Sequence, residues 1–265
     1  MGLVNKDNDG LFVRFMEELS FNAHPALNTM YYDGWCLRFG DGYTNRANSV
    51  NVLRESALPV EDKVRYCEEV YSRQGLATVF KITPLSVGLD SLLEAREYSV
   101  VSRTNLMVRD ISSINNEGLK AVVTKGINEE WQRAYFRLNG LSEKSAWVAE
   151  KIQGNIVNDT LCATVTCENE IVACGLGVVE NGYEHGYVGL YDIVVSQKHR
   201  RKGLEWDICT SLLVHAGRCG ADKAYLQVVA ENDKAVKLYK KLGFVDQYEY
   251  WYRVKKLGEN HHNFG

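Results

Sequence analysis

The stretch Leu190-Tyr191-Asp192-Ile193-Val194-Val195-Ser196-Gln197-Lys198-His199-Arg200-Arg201-Lys202-Gly203-Leu204 decides how the rest of the chain is read. Its apolar first part reads as a buried strand and its basic middle as a turn with one glycine, and a helix starts at once at Leu204. Leu204, Ile208, Leu212, Leu213 and Ala216 keep a continuous apolar face on that helix, which is expected over 204–218. The N–H groups of a helix's first turn have no partner inside the helix, and the aligned peptide dipoles place partial positive charge beside them. Gly203 opens the backbone to close approach, while Arg200, Arg201 and Lys202 add charge. Strand, basic turn and helix together make a seat for a pyrophosphate. The G-x-x-x-x-G-K-[ST] loop of triphosphate binders is missing, and so is the three-glycine fingerprint of dinucleotide binders. Taken alone, the segment also reads as a solvated surface turn.

On either side of it, strands and helices follow the apolar periodicity. Helices are expected over 129–138 and 142–154, then strands over 160–166, 171–180 and 187–195. A strand over 224–229, a helix over 233–242 and further strand to 254 close the chain. The first part carries an amphipathic helix around Leu11, Phe12, Phe15, Met16 and Leu19, then a hairpin turning at Gly40-Asp41-Gly42. A helix over 61–74, a strand over 77–82, a short helix over 89–95 and an extended segment over 98–108 come next. The polar run Ser112-Ser113-Ile114-Asn115-Asn116 puts a domain boundary near Asp110, giving domains 1–110 and 111–265. The halves echo one another. A helix ending in Gln74-Gly75 before a strand, then Leu92-Leu93 before Tyr98, repeats as Cys219-Gly220 before a strand, then Leu238-Tyr239 before Phe244. A duplicated fold is expected, against two unrelated α/β segments.

About 30 residues beyond the basic turn stands Asn232-Asp233-Lys234-Ala235-Val236-Lys237-Leu238-Tyr239-Lys240-Lys241-Leu242-Gly243-Phe244. It resembles the later motif of the GNAT N-acetyltransferase superfamily, N-x-x-A-x-x-L-Y-x-x-x-G-F, at Asn232, Ala235, Leu238, Tyr239, Gly243 and Phe244. The basic turn resembles the same family's [Q/R]-x-x-G-x-[G/A] loop at Arg200 and Gly203, and the resemblance covers about residues 118–254. It implies an α/β (α+β) fold with a mixed sheet, flanked by helices, that splays open between its fourth and fifth strands around acetyl-CoA. It implies that backbone groups of Ile193, Val194 and Val195 pair with the pantetheine arm. The pyrophosphate would sit on Arg200, Arg201, Lys202, Gly203, Leu204 and Glu205. Asn232 would hydrogen-bond the cofactor, and Tyr239 would protonate the departing thiolate after an amine attacks directly. From the residues alone, Asn232 reads equally as a helix cap and Tyr239 as a core aromatic.

Position 205 departs from the motif. The family has Gly or Ala where this chain has Glu, a carboxylate of like charge to the ligand. Two unit charges ~4 Å apart repel by about 1 kcal/mol in water and about 4 kcal/mol at an effective dielectric of 20. Two functions therefore stand side by side: acetyl transfer to a primary amine, and a CoA-binding or regulatory relic disabled by Glu205. The general base is not written clearly either. Tyr191 and Asp192 are the strand's candidates and alternate in direction along a regular strand; Glu180, Glu184 and His185 lie in the preceding turn. Asp192 also reads as a structural acceptor inside the sheet, and a water relay with no direct base is the further alternative. In the first half Leu93 stands where Tyr239 stands in the second, so that half is expected to be a degenerate copy. Trp35, Tyr43, Arg46 and Asn48 are its candidates to line an acceptor cleft.

Composition narrows the partners. The chain has 265 residues, with 31 Lys and Arg against 34 Asp and Glu, a net charge of −3. That argues against a nucleic-acid binder held by a general basic surface and leans towards a cationic acceptor, a small-molecule or peptide amine. No apolar run approaches the ~20 residues of a membrane span. The polar residues 1–10 are not a secretory leader. Seven cysteines without a C-x-x-C pair read as reduced core thiols. Six histidines without clustered spacing, His261-His262 included, point to no metal site. A cytoplasmic enzyme is expected.

Overall fold

The periodicities above resolve into eleven strands and seven helices in a computed structural model that describes residues 6–54, 56–112, 114, 118–181 and 185–257. The first part runs α1 (Lys6–Ala23), β1 (Asn28–Tyr32), β2 (Trp35–Phe39), a 3-10 turn (Asn45–Ala47), β3 (Val50–Val52), α2 (Val60–Arg73), β4 (Thr78–Ile82), α3 (Val87–Ala95) and β5 (Ser99–Asp110). The second runs β6 (Val122–Lys125), α4 (Glu129–Asn139), α5 (Glu143–Gly154), β7 (Asp159–Cys167), β8 (Glu170–Asn181) and β9 (Gly186–Val195). It ends with α6 (Leu204–Arg218), β10 (Lys223–Val229), α7 (Asp233–Lys241) and β11 (Val245–Lys255).

Two compact units form. One is built on Ala26–Arg103 with the start of α1 and the end of β11; the other is built on Glu17–Pro25 and Thr104–Tyr248. In the first, the strand order is β1-β2-β3-β4-β11, antiparallel except for the parallel β3–β4 pair. Trp35, Leu37, Val64, Tyr71, Phe80 and Leu93 are buried in its core. Its last strand is fastened by Arg253, whose guanidinium donates to both oxygens of Asp90 at 2.8 and 2.7 Å and to the Tyr98 carbonyl at 3.0 Å. Those bonds, with one from the Trp251 indole, hold the Asp90 carboxyl below its usual range. In the second unit the order is β5-β10-β9-β8-β7-β6, antiparallel except for the parallel β9–β10 pair. The buried face of α6 (Ile208, Cys209, Leu212, Leu213, Ala216) belongs to its core.

The expected echo is present as element order. The series α2-β4-α3-β5 recurs as α6-β10-α7-β11, with α3 and α7, and likewise β5 and β11, starting 146 residues apart. The closing strands, however, are exchanged: β4 pairs with β11, and β10 pairs with β5. This exchange is why the compact units do not meet at one point in the chain. A cut at residue 110 falls at the end of β5, a strand whose later residues pair with β10 of the second unit.

The first hairpin differs from the expected one. β1 and β2 turn at Asp33-Gly34, with φ of 41° and 80°, the two left-handed residues of a tight hairpin turn. After Gly40-Asp41-Gly42 the chain forms a loop rather than a strand, because Asn48 accepts from the Gly40 and Gly42 amides at 2.8 and 2.9 Å. Only Val50–Val52 returns as β3. β1 and β6 were not expected from the sequence.

Candidate active site

The parallel pairing of β9 with β10 ends at Leu190↔Leu226, although β10 stays paired with β5 as far as Val229. The sheet opens there, between its two parallel strands, as expected. The cause is a bulge: Cys174 pairs with Val194 and Leu176 with Tyr191, so Asp192 and Ile193 both face Gly175. Asp192 takes φ 54°, a left-handed conformation uncommon for a residue with a side chain. Gly175 cannot be larger, since a Cβ there would come within 2.5 Å of Ile208 and 2.6 Å of Ile193. Beyond the bulge the strand remains tied to β8 on its other side, through Ala173↔Val195 and the Ser196 amide on the Val172 carbonyl at 2.8 Å. The edge of Ile193, Val194 and Val195 that faces away from β8 therefore has no strand partner among the described residues.

The basic turn follows this edge directly. A short 3-10 turn (Gln197–His199) is braced by Ser196 Oγ and His199 Nδ1 at 2.7 Å. Arg201 (φ 63°) and Gly203 (φ 79°) are left-handed, and Gly203 leads into α6. Every other helix of this unit that begins after a polar residue is capped by it. Asn128 accepts from Trp131 N at 2.8 Å, Ser142 from Ser145 N at 3.2 Å and Asn232 from Ala235 N at 3.3 Å. No side chain caps α6. Its first-turn amides are left open, and Arg200, Arg201 and Lys202 stand exposed, without an ion pair among the described residues. A Cβ at Gly203 would meet nothing within 4 Å. Buried Leu204 anchors the helix to the core below. Open amides, spare positive charge and free space above a glycine fit a diphosphate.

Glu205 and Tyr239 lie near enough for the charge of one to bear on the hydroxyl of the other. Glu205 is half-buried and one turn before Cys209, on the stripe of α6 that faces the core. Burial, and then the Glu205 charge, push the Cys209 thiol up to about 12. Burial first, and then the Cys209 and Glu205 charges, raise the Tyr239 hydroxyl well above its ordinary 10. Tyr239 packs partly buried against the core, its ring 6.1 Å from Phe244. Its hydroxyl makes no hydrogen bond among the described residues. Asn232 is exposed at the start of α7, where its Oδ1 caps the helix.

The bulge also undoes the alternation expected at Tyr191 and Asp192. Ile193, not Asp192, is the residue that turns towards α6. The Asp192 carboxylate accepts from Gln153 of α5 at 3.4 Å, and Gln153 in turn accepts from Gln132 of α4 at 3.0 Å. Tyr191 is buried, its hydroxyl donating to Tyr225 at 3.1 Å. Glu180 is taken by two amides, Asn22 at 2.8 Å and Asn158 at 2.7 Å, while burial raises its carboxyl. His185 lies 3.5 Å from Asp222. Glu184 and the His261-His262 pair lie outside the described residues. Sequence reasoning missed Gln132, Gln153 and Tyr225, which reach the site only through tertiary contact. It also missed Cys209, for which the four-residue spacing from Glu205 was a usable signal.

All seven cysteines are free, five of them buried. Among the described residues no group of His, Cys, Asp and Glu is placed to hold a metal ion, and no helix is long and apolar enough to cross a membrane.

Residues 12–253 match the family described as "Probable histone acetyltransferase Rv0428c C-terminal". The uncharacterized N-acetyltransferase YobR of Bacillus subtilis (strain 168) is 29% identical over 250 residues, covering 92% of this chain and 99% of that protein. A GCN5-related N-acetyltransferase from Kribbella flavida has a TM-score of 0.68 at 13% identity, over 93% of this chain and 96% of its own. A tandem GNAT protein from the clavulanic acid biosynthesis pathway has a TM-score of 0.58 at 12% identity, over 85% of this chain and 79% of its own. At such identities the likeness speaks for the fold.

Proposed function

The chain belongs to the GNAT superfamily of N-acetyltransferases, in the family of the Rv0428c C-terminal region, and we propose that it moves an acetyl group from acetyl-CoA to a primary amine. The observation that carries this reading is the uncapped start of α6, set where β9 leaves β10. Bound acetyl-CoA supplies a thioester carbonyl for an amine to attack, with a thiolate leaving.

The chain's own residues do the rest. The α6 amides from Gly203, Leu204 and Glu205, with Arg200, Arg201 and Lys202, bind the diphosphate. The open edge of Ile193, Val194 and Val195 orients the pantetheine amides, and the Nδ2 group of Asn232 donates at the β10 side. Tyr239 holds its proton through the neutral range, because its pKa lies above the ordinary value. Its hydroxyl is thus a hydrogen-bond donor to a departing sulfur. Asp192, with its carboxylate positioned by Gln153, takes the proton that the attacking amine gives up, and Tyr191 packs beside it.

We read the first half as a copy that has lost this seat, since Leu93 replaces the tyrosine and a protein carboxylate fills the equivalent loop. The net charge of −3 favours a cationic acceptor, a small molecule or a peptide amine. The free, buried cysteines accord with a cytoplasmic setting. The test is thiol release from acetyl-CoA across a panel of small amines and basic peptides. Release above the amine-free rate is expected with at least one acceptor class. Thiol release that no acceptor raises, with CoA still bound, would make the chain a relic.

A further inference from the structure

The first unit contains a cavity of about 550 Å³ to which the acetyl transfer proposed above assigns no role. Its apolar lining includes Trp35, Val52, Leu58 and Leu89, and its charged lining is Arg14 and Arg54. No acidic side chain is among its described lining residues. Arg14 Nε is buried and has no hydrogen-bond partner among the described residues. That nitrogen is closed off from the cavity, so what Arg14 offers a ligand is the charge of a guanidinium that makes no ion pair among the described residues, not this N–H. Arg54 is exposed and makes no ion pair among the described residues. The volume is that of a pocket for a small organic ligand.

The same unit excludes a coenzyme diphosphate from this place. The loop amides that would hold one, Ala57 and Leu58, already donate to the Asp33 carboxylate at 3.1 and 2.9 Å. Lys63 Nζ stands 3.2 Å from that carboxylate and 4.0 Å from the Trp35 ring, so its charge is already committed. The two arginines are what the cavity offers an anion, and the apolar lining asks for a hydrocarbon or aromatic body.

We propose that this cavity is a second ligand site, for a small organic anion with an apolar body whose charged group is held by Arg14 and Arg54. The site is independent of the acetyl-transfer reading, because all of its lining belongs to the first unit.

Calorimetric titration of the full chain with decanoate, octyl phosphate and decanol, below micelle formation, tests it. At least one of the two anions is expected to bind with 1:1 stoichiometry and at least tenfold more tightly than decanol; the tighter anion identifies the headgroup. Arg54→Ala, at an exposed position, is expected to weaken that binding at least tenfold with an unchanged melting temperature. Gly88→Phe is expected to block binding without removing charge, since Gly88 is an exposed lining residue and a Cβ there meets no atom within 4 Å. Four results would overturn the proposal: no binding of either anion, decanol binding as tightly, indifference to Arg54→Ala, or displacement of the probe by acetyl-CoA.

Discussion

The connection from β3 to α2 and the connection from β9 to α6 are the same piece of architecture in two electrical states. Each leaves a strand paired in parallel with its neighbour, and each enters a helix that no side chain caps. Near the start of α2 the loop amides are spent on Asp33, a carboxylate supplied by the tight turn between β1 and β2. At the start of α6 there is a left-handed glycine and three exposed basic residues. A strand, a turn and a helix make an anion seat whatever the sequence. What separates a scaffold from a binding site is whether the protein seats its own anion there.

The largest effect that sharpens this contrast lies at position 239. Leu93 occupies the matching place in the first half, 146 residues earlier. Tyr239→Phe removes one hydroxyl and no packing, so kcat is expected to fall by about 100- to 10,000-fold, the range of a lost general acid. The dissociation constant for CoA should stay within about threefold. The raised Tyr239 pKa also fixes a sign: no loss of activity from its deprotonation is expected on the alkaline side below pH 10. Steady-state rates and a CoA titration measure both. An unchanged kcat would erase the distinction between the two halves at this position.

Glu205 is next. It is the feature of the second seat that resembles the first in charge as well as in outline, a protein carboxylate near the anion site. Glu205→Gly is expected to tighten CoA binding by about 1–4 kcal/mol, roughly five- to several-hundredfold. It should also lower the pKa of both Tyr239 and Cys209, because the Glu205 charge raises both. A CoA titration of the two proteins reads the change in affinity. Equal affinities would mean that the carboxylate does not face the diphosphate.

Local chemistry made much of this legible in advance. Arg200, Arg201, Lys202 and Gly203 are contiguous, and the α6 stripe repeats with helical period, so strand, turn and helix could be placed from the sequence. What could not be read was non-local. The exchange of β5 and β11 leaves no mark in either strand, since each alternates the same way whichever partner it takes. The bulge at Asp192 leaves no turn residue in the strand that would announce it, and it sits where Ile208 of α6 comes over Gly175 of β8, two residues 33 apart in the chain. Asp33 was passed over because its role depends on amides at Ala57 and Leu58, brought near only by the pairing of β2 with β3.

The smallest expected effect would open the first seat. Asp33 has φ 41°, a conformation that glycine adopts without strain, so Asp33→Gly removes the carboxylate and leaves the turn intact. The Asp33 carboxyl is held below its usual range by the Leu58 and Ala57 amides first, and then by Lys63. Its folded pKa therefore lies below its unfolded value near 3.9. The stability it contributes is present above that value and is lost as pH falls through the folded pKa. In the glycine variant that acid-side loss should disappear. The freed amides and Lys63 should then accept a small inorganic anion, so sodium sulfate is expected to raise the variant's melting temperature by a few degrees more than sodium chloride of equal ionic strength. Wild type should not distinguish the two salts. A variant that does not distinguish them either would mean that the loop amides form no seat on their own and that the likeness of the two connections is one of outline only. Even with the seat opened, the first half would still have Leu93 in place of a phenol, so anion binding should return there without acetyl transfer.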